Sequence, residues 1–266
     1  MVIDFHTHVF PPNIAGRAIA SLEKTGGFPA HGDGTLDGLL ANMEQGGADL
    51  SVILPVVTNV RQVGAVNDYI ISISDNKQII CFGGIHPDMP NIKEEIIKLK
   101  KAGLNGIKIH PDFVRTFADD NKIAKVINLA TEQGMPVILH GGADPSFPDY
   151  VRCSPDIIAG LLPKIPGAKL VCAHLLGYTY FDRLLAHLDE FLKFGLYLDI
   201  SMTLDLPKSR DVLPILEKYD SSKILFATDY PWKTVKETLS ALNELPISDE
   251  YKEKIKWKNA AALLEI

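Results

Sequence analysis

The chain has 266 residues, of which 46% are hydrophobic and 23% charged, with a formal net charge of −6. That balance belongs to ordinary globular proteins, and its acidic sign gives no electrostatic reason to expect nucleic acid or an anionic membrane as partner. No apolar stretch reaches the roughly 20 residues that span a bilayer. The three cysteines, Cys81, Cys153 and Cys172, have neither the number nor the spacing of a disulfide framework or a zinc ribbon.

The first predicted strand, Val2–His8, contains Asp4-Phe5-His6-Thr7-His8. Residues two apart on a strand share a face, so His6 and His8 project together beside an acidic residue, which is half of a divalent-metal site. A strand that begins at Val2 leaves no room for a signal peptide, and the expected location is the cytoplasm. Val9–Leu36 holds Pro11, Pro12, Pro29 and several glycines and reads as a long loop. Helices over Asp37–Gln45 and Val63–Ser74 flank a strand at Leu50–Val56, and a strand at Ile79–His86 ends in His86-Pro87-Asp88. The helix Asn91–Ala102 places Ile92, Ile96, Ile97 and Leu99 at helical spacing and stops at Gly103.

The strand Gly106–His110 echoes its predecessor with His110-Pro111-Asp112, and Lys108 shares a face with His110. A helix over Asp119–Gln133 stops at Gly134, and the strand Val137–His140 leads into a second long loop, Gly141–Ser154. The strand Lys169–His174, helix Tyr180–Lys193, strand Leu196–Ser201, helix Ser209–Tyr219, strand Ile224–Asp229 and helix Thr234–Asn243 follow. Eight strands alternating with helices predict parallel βα units, and the chain length is near the roughly 250 residues of an eight-fold barrel. The strand-terminal polar residues also favour closure, because a barrel brings all C-terminal strand ends around one mouth. The expected fold is therefore an α/β single domain over residues 1–266, a (β/α)8 TIM barrel with long loops after strands one and five. Those loops overhang the mouth and suit substrate binding.

For the site, Zn²⁺ suits a set of His6, His8, a third histidine and a carboxylate with one open position, and Mn²⁺ or Fe²⁺ accept the same donors. His140 is the expected third histidine and Asp229 the expected carboxylate, since an aspartate closing Leu-Phe-Ala-Thr is costly to bury unpaired. His174 is a further ligand or a base near the metal-bound water. Lys108 binds a substrate carboxylate or carbonyl oxygen or forms a structural ion pair, readings that rank above a carbamylated bridge between two metals. His86 and His110 line the mouth or cap a loop before proline. His31 and His187 read as loop and helix-surface residues, and Trp232 and Trp257 as core packing. Cys153 sits in a loop that could be exposed, but nothing marks it as an activated thiolate, and no Gly-x-Ser-x-Gly is present.

Together, Ile-Asp-Phe-His6-Thr-His8, Gly-Ile-Lys108-Ile-His110-Pro, Val-Ile-Leu-His140-Gly, Ala-His174-Leu and Leu-Phe-Ala-Thr-Asp229-Tyr-Pro-Trp resemble the amidohydrolase superfamily. They are most similar to the amidohydrolase-related branch that includes relatives of aminocarboxymuconate-semialdehyde decarboxylase. The resemblance implies a barrel with a metal at its mouth. It also implies His6, His8, His140 and Asp229 as ligands and His174 as the histidine that activates or orients the bound water. Lys108 falls where binuclear members carry a bridging lysine, but its Ile-Lys-Ile-His context resembles the mononuclear members, so one metal is expected. The same resemblance leaves a homodimer open.

The expected activity is hydrolysis of a small amide, lactone or ester by a metal-activated water, with Asp229 and His174 handling the proton. The alternative is non-oxidative decarboxylation of an aromatic or dienoic acid. Decarboxylases of this kind use an arginine for the carboxylate, and none of Arg17, Arg61, Arg115 or Arg152 matches that role by motif. A metal-free ligand-binding barrel is the third reading.

Overall fold

The computed structural model describes residues 1–147, 149–177, 180–204 and 212–266. Its frame is a run of eight parallel strands paired in chain order: β1 (Ile3–Thr7), β2 (Leu50–Ile53), β3 (Ile79–Gly84), β4 (Gly106–Ile109), β5 (Val137–Leu139), β6 (Leu170–Cys172), β7 (Tyr197–Asp199) and β8 (Ile224–Leu225). All eight fall inside the segments expected from sequence. They form a nearly closed barrel. Its seam is joined by backbone bonds from Phe5 N to Phe226 O (2.9 Å), Asp229 N to His6 O (2.8 Å) and His8 N to Tyr230 O (2.7 Å). Asp4 adds its carboxylate to the seam, accepting from Thr228 N at 2.9 Å and Thr228 Oγ1 at 2.7 Å.

Several strands, such as β5 (Val-Ile-Leu) and β6 (Leu-Val-Cys), are almost wholly apolar because both of their faces are covered. One face packs beneath the helices in the larger apolar cluster, through residues such as Ile53, Cys81, Ile107, Leu139 and Leu198. Alternate positions, including Ile3, Phe5, Val52, Phe82, Ile138, Val171 and Leu225, build the barrel interior. Ala260, Leu263 and Leu264 of the C-terminal helix join that interior cluster.

The helices are α1 (Pro12–Gly26), α2 (Leu36–Gly46), α3 (Val63–Ile73), α4 (Ile92–Lys101), α5 (Asn121–Glu132), α6 (Pro155–Leu161), α7 (Phe181–Ala186), α8 (Leu188–Phe194), α9 (Val212–Lys218), α10 (Val235–Glu244), α11 (Asp249–Glu253) and α12 (Asn259–Leu264). Gly103 and Gly134 do end helices, at φ of 85° and 66°. Three expectations need correction. Val9–Leu36 is not simply a loop: 15 of its residues form α1. Pro12 occupies the first turn, where a missing N–H costs nothing and the fixed φ suits the helix. The segment Tyr180–Lys193 is two helices, broken at His187, whose φ and ψ of −103° and 10° leave the helical region. The helices α6, α11 and α12 were not anticipated. Of the expected helix Ser209–Tyr219, residues 209–211 lie outside the described residues. Gly141–Ser154 is irregular, as expected, with residue 148 outside the described residues.

Candidate metal centre and its cavity

The register of β1 shifts between Asp4 and Thr7. Phe5 packs edge-on against Phe82 in the interior, with ring centroids 5.8 Å apart, while His6 and His8 meet above it. His6 Nδ1 lies 2.9 Å from Asp199 Oδ2, and His8 Nδ1 lies 2.6 Å from the Leu54 carbonyl oxygen. A carboxylate and a carbonyl only accept, so each Nδ1 donates its proton and each Nε2 keeps a lone pair. The two Nε2 atoms are 3.1 Å apart. Asp229 Oδ1 is 3.3 Å from the first and 3.0 Å from the second. Three acceptor atoms converge with no proton among them, and only the Lys108 ammonium, 3.3 Å from His6 Nε2, offsets their mutual repulsion. This donor set fits a divalent ion.

Lys108, fully buried on β4, brings Nζ to 3.3 Å from His6 Nε2. Burial pushes its ammonium down to about 8, against the opposing pull of Asp229 and Asp199. Burial, and then the Lys108 charge, hold His6 well below the usual imidazole range, so the ring is neutral and free to donate a lone pair. Burial alone would raise the Asp229 carboxyl, but His6, the bond to His8 and His174 together bring it below its ordinary value.

His140 does not join this first group. Its ligand atom groups instead with those of His110 and Asp144, within 4.8 Å of one another. The His140 ring stacks on His110 at 4.0 Å and 11°, and its Nδ1 is 3.2 Å from His174 Nε2. His174 Nδ1 faces the Ser201 carbonyl at 3.1 Å. With His174 donating from Nδ1 and accepting at Nε2, His140 donates from Nδ1. Its Nε2 is then left as a buried lone pair without a partner. Such an orphan is costly unless a ligand satisfies it, so the third expected donor is available though not in the first group.

Asp199 is the residue that sequence reasoning missed. It is fully buried at the end of β7. Besides His6 Nδ1, its carboxylate accepts from His174 N and Ser201 N, each at 3.0 Å, and from Ser201 Oγ. A carboxylate behind a ligating histidine fixes its tautomer and ring orientation. The signal was present, since Asp199 closes an apolar run as Asp229 does. His174 and Asp229 both hold left-handed backbone, at φ of 57° and 65°. Strain of this kind gathers at functional sites, and the bond from His174 N to Asp199 helps to hold it.

The remaining expected residues separate. His110 donates toward Asp144 Oδ2 at 3.1 Å and lines the central cavity. His86 does not: its Nδ1 accepts from Asp88 N at 3.2 Å, and it lines a separate outer pocket of about 840 Å³ with Arg115 and Lys122. It caps the loop after β3 through that bond. Cys153 is buried, not exposed, and burial together with neighbouring Cys172 holds its thiol well above the usual range. Trp232 is not core packing but a cavity wall, edge-on to Phe28 at 5.7 Å.

The central cavity holds about 620 Å³. His6, His8, Lys108, His140, His174 and Asp229 make its floor, and apolar and aromatic side chains from the segment after β1, from α3 and from the β4 and β8 loops make its walls. Among the described residues no arginine lines it.

The chain belongs to the amidohydrolase family, whose model, described as amidohydrolase, matches residues 3–266. No curated protein matches it in sequence. Among solved structures it is similar to an uncharacterised TIM-barrel protein of Bordetella bronchiseptica, with 20% identity, 99% of this chain and 98% of that one covered, and a TM-score of 0.80. It is also similar to 5-carboxyvanillate decarboxylase of Sphingomonas paucimobilis, with 16% identity, coverage of 100% and 99%, and a TM-score of 0.71. A third is dihydroxybenzoic acid decarboxylase of Polaromonas, solved with manganese and 2-nitroresorcinol, with 13% identity, coverage of 99% and 96%, and a TM-score of 0.74. At these identities the likeness shows the fold. No helix among the described residues is long and apolar enough to cross a membrane.

Proposed function

We propose that the protein is a metal-dependent, non-oxidative decarboxylase of a small aromatic or dienoic carboxylic acid. The observation that carries this reading is a floor of lone-pair donors and one buried ammonium beneath an apolar, aromatic-walled cavity. An acid with a flat apolar body meets both halves of that cavity. The decarboxylases among the structural neighbours support the same choice over the hydrolase expectation. His6, His8 and Asp229 would hold the ion, with the free Nε2 of His140 as a further donor. The ion, whether zinc or manganese, would supply Lewis-acid stabilisation of the carboxylate and of charge developing beside it.

Among the described residues no arginine lines the cavity, and Lys108 is the cation that would receive the carboxylate. Arg152, one candidate, is engaged with Asp112 at 3.3 Å and with the Tyr150 ring at 4.7 Å. In the reaction the bond to the carboxyl carbon breaks, CO₂ leaves, and its electron pair stays on the substrate carbon, which then takes a proton. Asp229 draws that proton from solvent and delivers it. His174 orients His140 and holds the proton network behind them.

The test is to incubate metal-loaded protein with hydroxybenzoic and dienoic acids in ¹⁸O-water and analyse gas and products by mass spectrometry. CO₂ equimolar with a product that has gained one proton and no ¹⁸O is expected. It should fall by at least about a hundredfold in His6→Ala/His8→Ala. Amides, esters and lactones of the same acids are run in parallel, and from these a product carrying ¹⁸O at a cleaved carbonyl, without CO₂, would instead establish hydrolysis. CO₂ release unchanged in the double variant would overturn the metal scheme.

A further inference from the structure

The helix α1 shows the cavity a stripe that packing alone does not require. Its core contacts come from Ala15 and Ile19, one turn apart. Ile14, Ala18, Ser21 and Leu22 lie at helical spacing on another face and line the catalytic cavity. Ile14 is 37% exposed, although it is a large apolar side chain. Phe10, Phe28 and Trp232 continue this apolar surface around the same space. Polar groups nearby are already engaged: Tyr69 Oη donates to Phe10 O at 3.2 Å, and Gln62 Oε1 accepts from Thr58 Oγ1 at 2.9 Å. Among the described residues the one lysine or arginine in the lining is Lys108, on the floor. A cavity of about 620 Å³ is of the size that takes drug-sized ligands, more than a bare ring needs.

We infer that α1 forms a subsite for an apolar substituent, so that the substrate is a monocarboxylic acid with an alkyl or aryl tail. The inference rests on the decarboxylase reading for where the acid group sits. The acid end is held on the floor beside Lys108, and the tail lies along Ile14, Ala18 and Leu22. A second carboxylate at the tail end would face Ile14, Ala18 and Leu22, with no lysine or arginine of the described lining there to receive it, and would lose its hydration. The commitment to one occupant comes from continuity: stripe and floor bound a single cavity, so the tail and the reacting group belong to one molecule.

Isothermal titration of the metal-loaded protein with benzoate, 4-butylbenzoate, 4-hexylbenzoate and terephthalate tests this. Affinity should rise about fourfold per added methylene, and terephthalate should bind more weakly than benzoate. In Ala18→Glu the gain of the hexyl over the unsubstituted acid should vanish. In Leu22→Ala, which adds no charge, it should fall by about half in its logarithm. A flat alkyl series, tighter binding of terephthalate, a gain that survives both substitutions, or no binding of any of these acids overturns the subsite. Carbon dioxide release separates the two claims. A tail gain without it keeps the subsite and sinks the decarboxylase, and release with a flat series does the reverse.

Discussion

Asp199 illustrates how one buried carboxylate can organise a site without touching a substrate. Its two oxygens serve His6, His174 and Ser201. Asp199→Asn keeps the volume but presents an amide N–H to one of those partners, so the His6 tautomer is no longer fixed. Metal affinity should fall about 10- to 100-fold, read by equilibrium dialysis against zinc or manganese, while far-UV circular dichroism stays unchanged. Unaltered affinity would leave Asp199 a purely structural residue. Asp112 offers a pH test. Burial raises its carboxyl to about 6, against the bonds from Arg152. Its folded pKa therefore lies above its unfolded value, so the neutral form favours folding. That contribution is complete below about pH 4 and is lost as pH rises to about 6. Wild-type stability should fall across that window relative to Asp112→Asn by on the order of 1 kcal/mol; parallel denaturation curves at both pH values would contradict it. At this scale the sequence was informative where a polar residue closed an apolar run: His6, His8, Lys108, His140, His174 and Asp229 all line one cavity. It could not show the tautomers, nor that His86 turns away, because both depend on partners from distant strands.

Among elements, the strands were legible and α1 was not. An inner barrel strand is covered on both faces, so its apolar run is unbroken whatever surrounds it. The helix α1 is covered on one face and borders a cavity on another, so its periodicity is blurred, and Pro11-Pro12 reads as a breaker when it is a start. The helices α6 and α12 are 7 and 6 residues long, too short for periodicity to declare itself. Glycine matters here through close approach. A Cβ at Gly106 of β4 would stand 2.3 Å from the Phe82 ring, which is fully buried. Gly106→Ala should cost about 1–3 kcal/mol by overpacking the interior. Gly64 of α3 meets nothing within 4 Å, and Gly64→Ala should add roughly 0.5–1 kcal/mol. Urea midpoints measure both, and a harmless Gly106→Ala would mean that the Phe82 ring yields.

For the molecule as a whole, the proposed ion would tie binding to folding through the three converging acceptors. Stripping the metal should lower Tm, and zinc or manganese at about a hundred times Kd should restore roughly 2.7 kcal/mol. Scanning calorimetry of chelated and reloaded protein measures it. A Tm indifferent to metal, with His6→Ala/His8→Ala equally indifferent, would favour the ligand-binding barrel.

The seam of the barrel has a consequence for how the protein is made. His8 and Asp229, 221 positions apart in the chain, meet across it. A nascent chain that has not yet emitted its last strand holds the histidine pair but lacks the carboxylate that completes the set. On the proposed ligand set, an ion could be held tightly only after β8 has joined β1, and interactions this distant in sequence form late and slowly. Ion capture would then report that the two ends of the barrel have met.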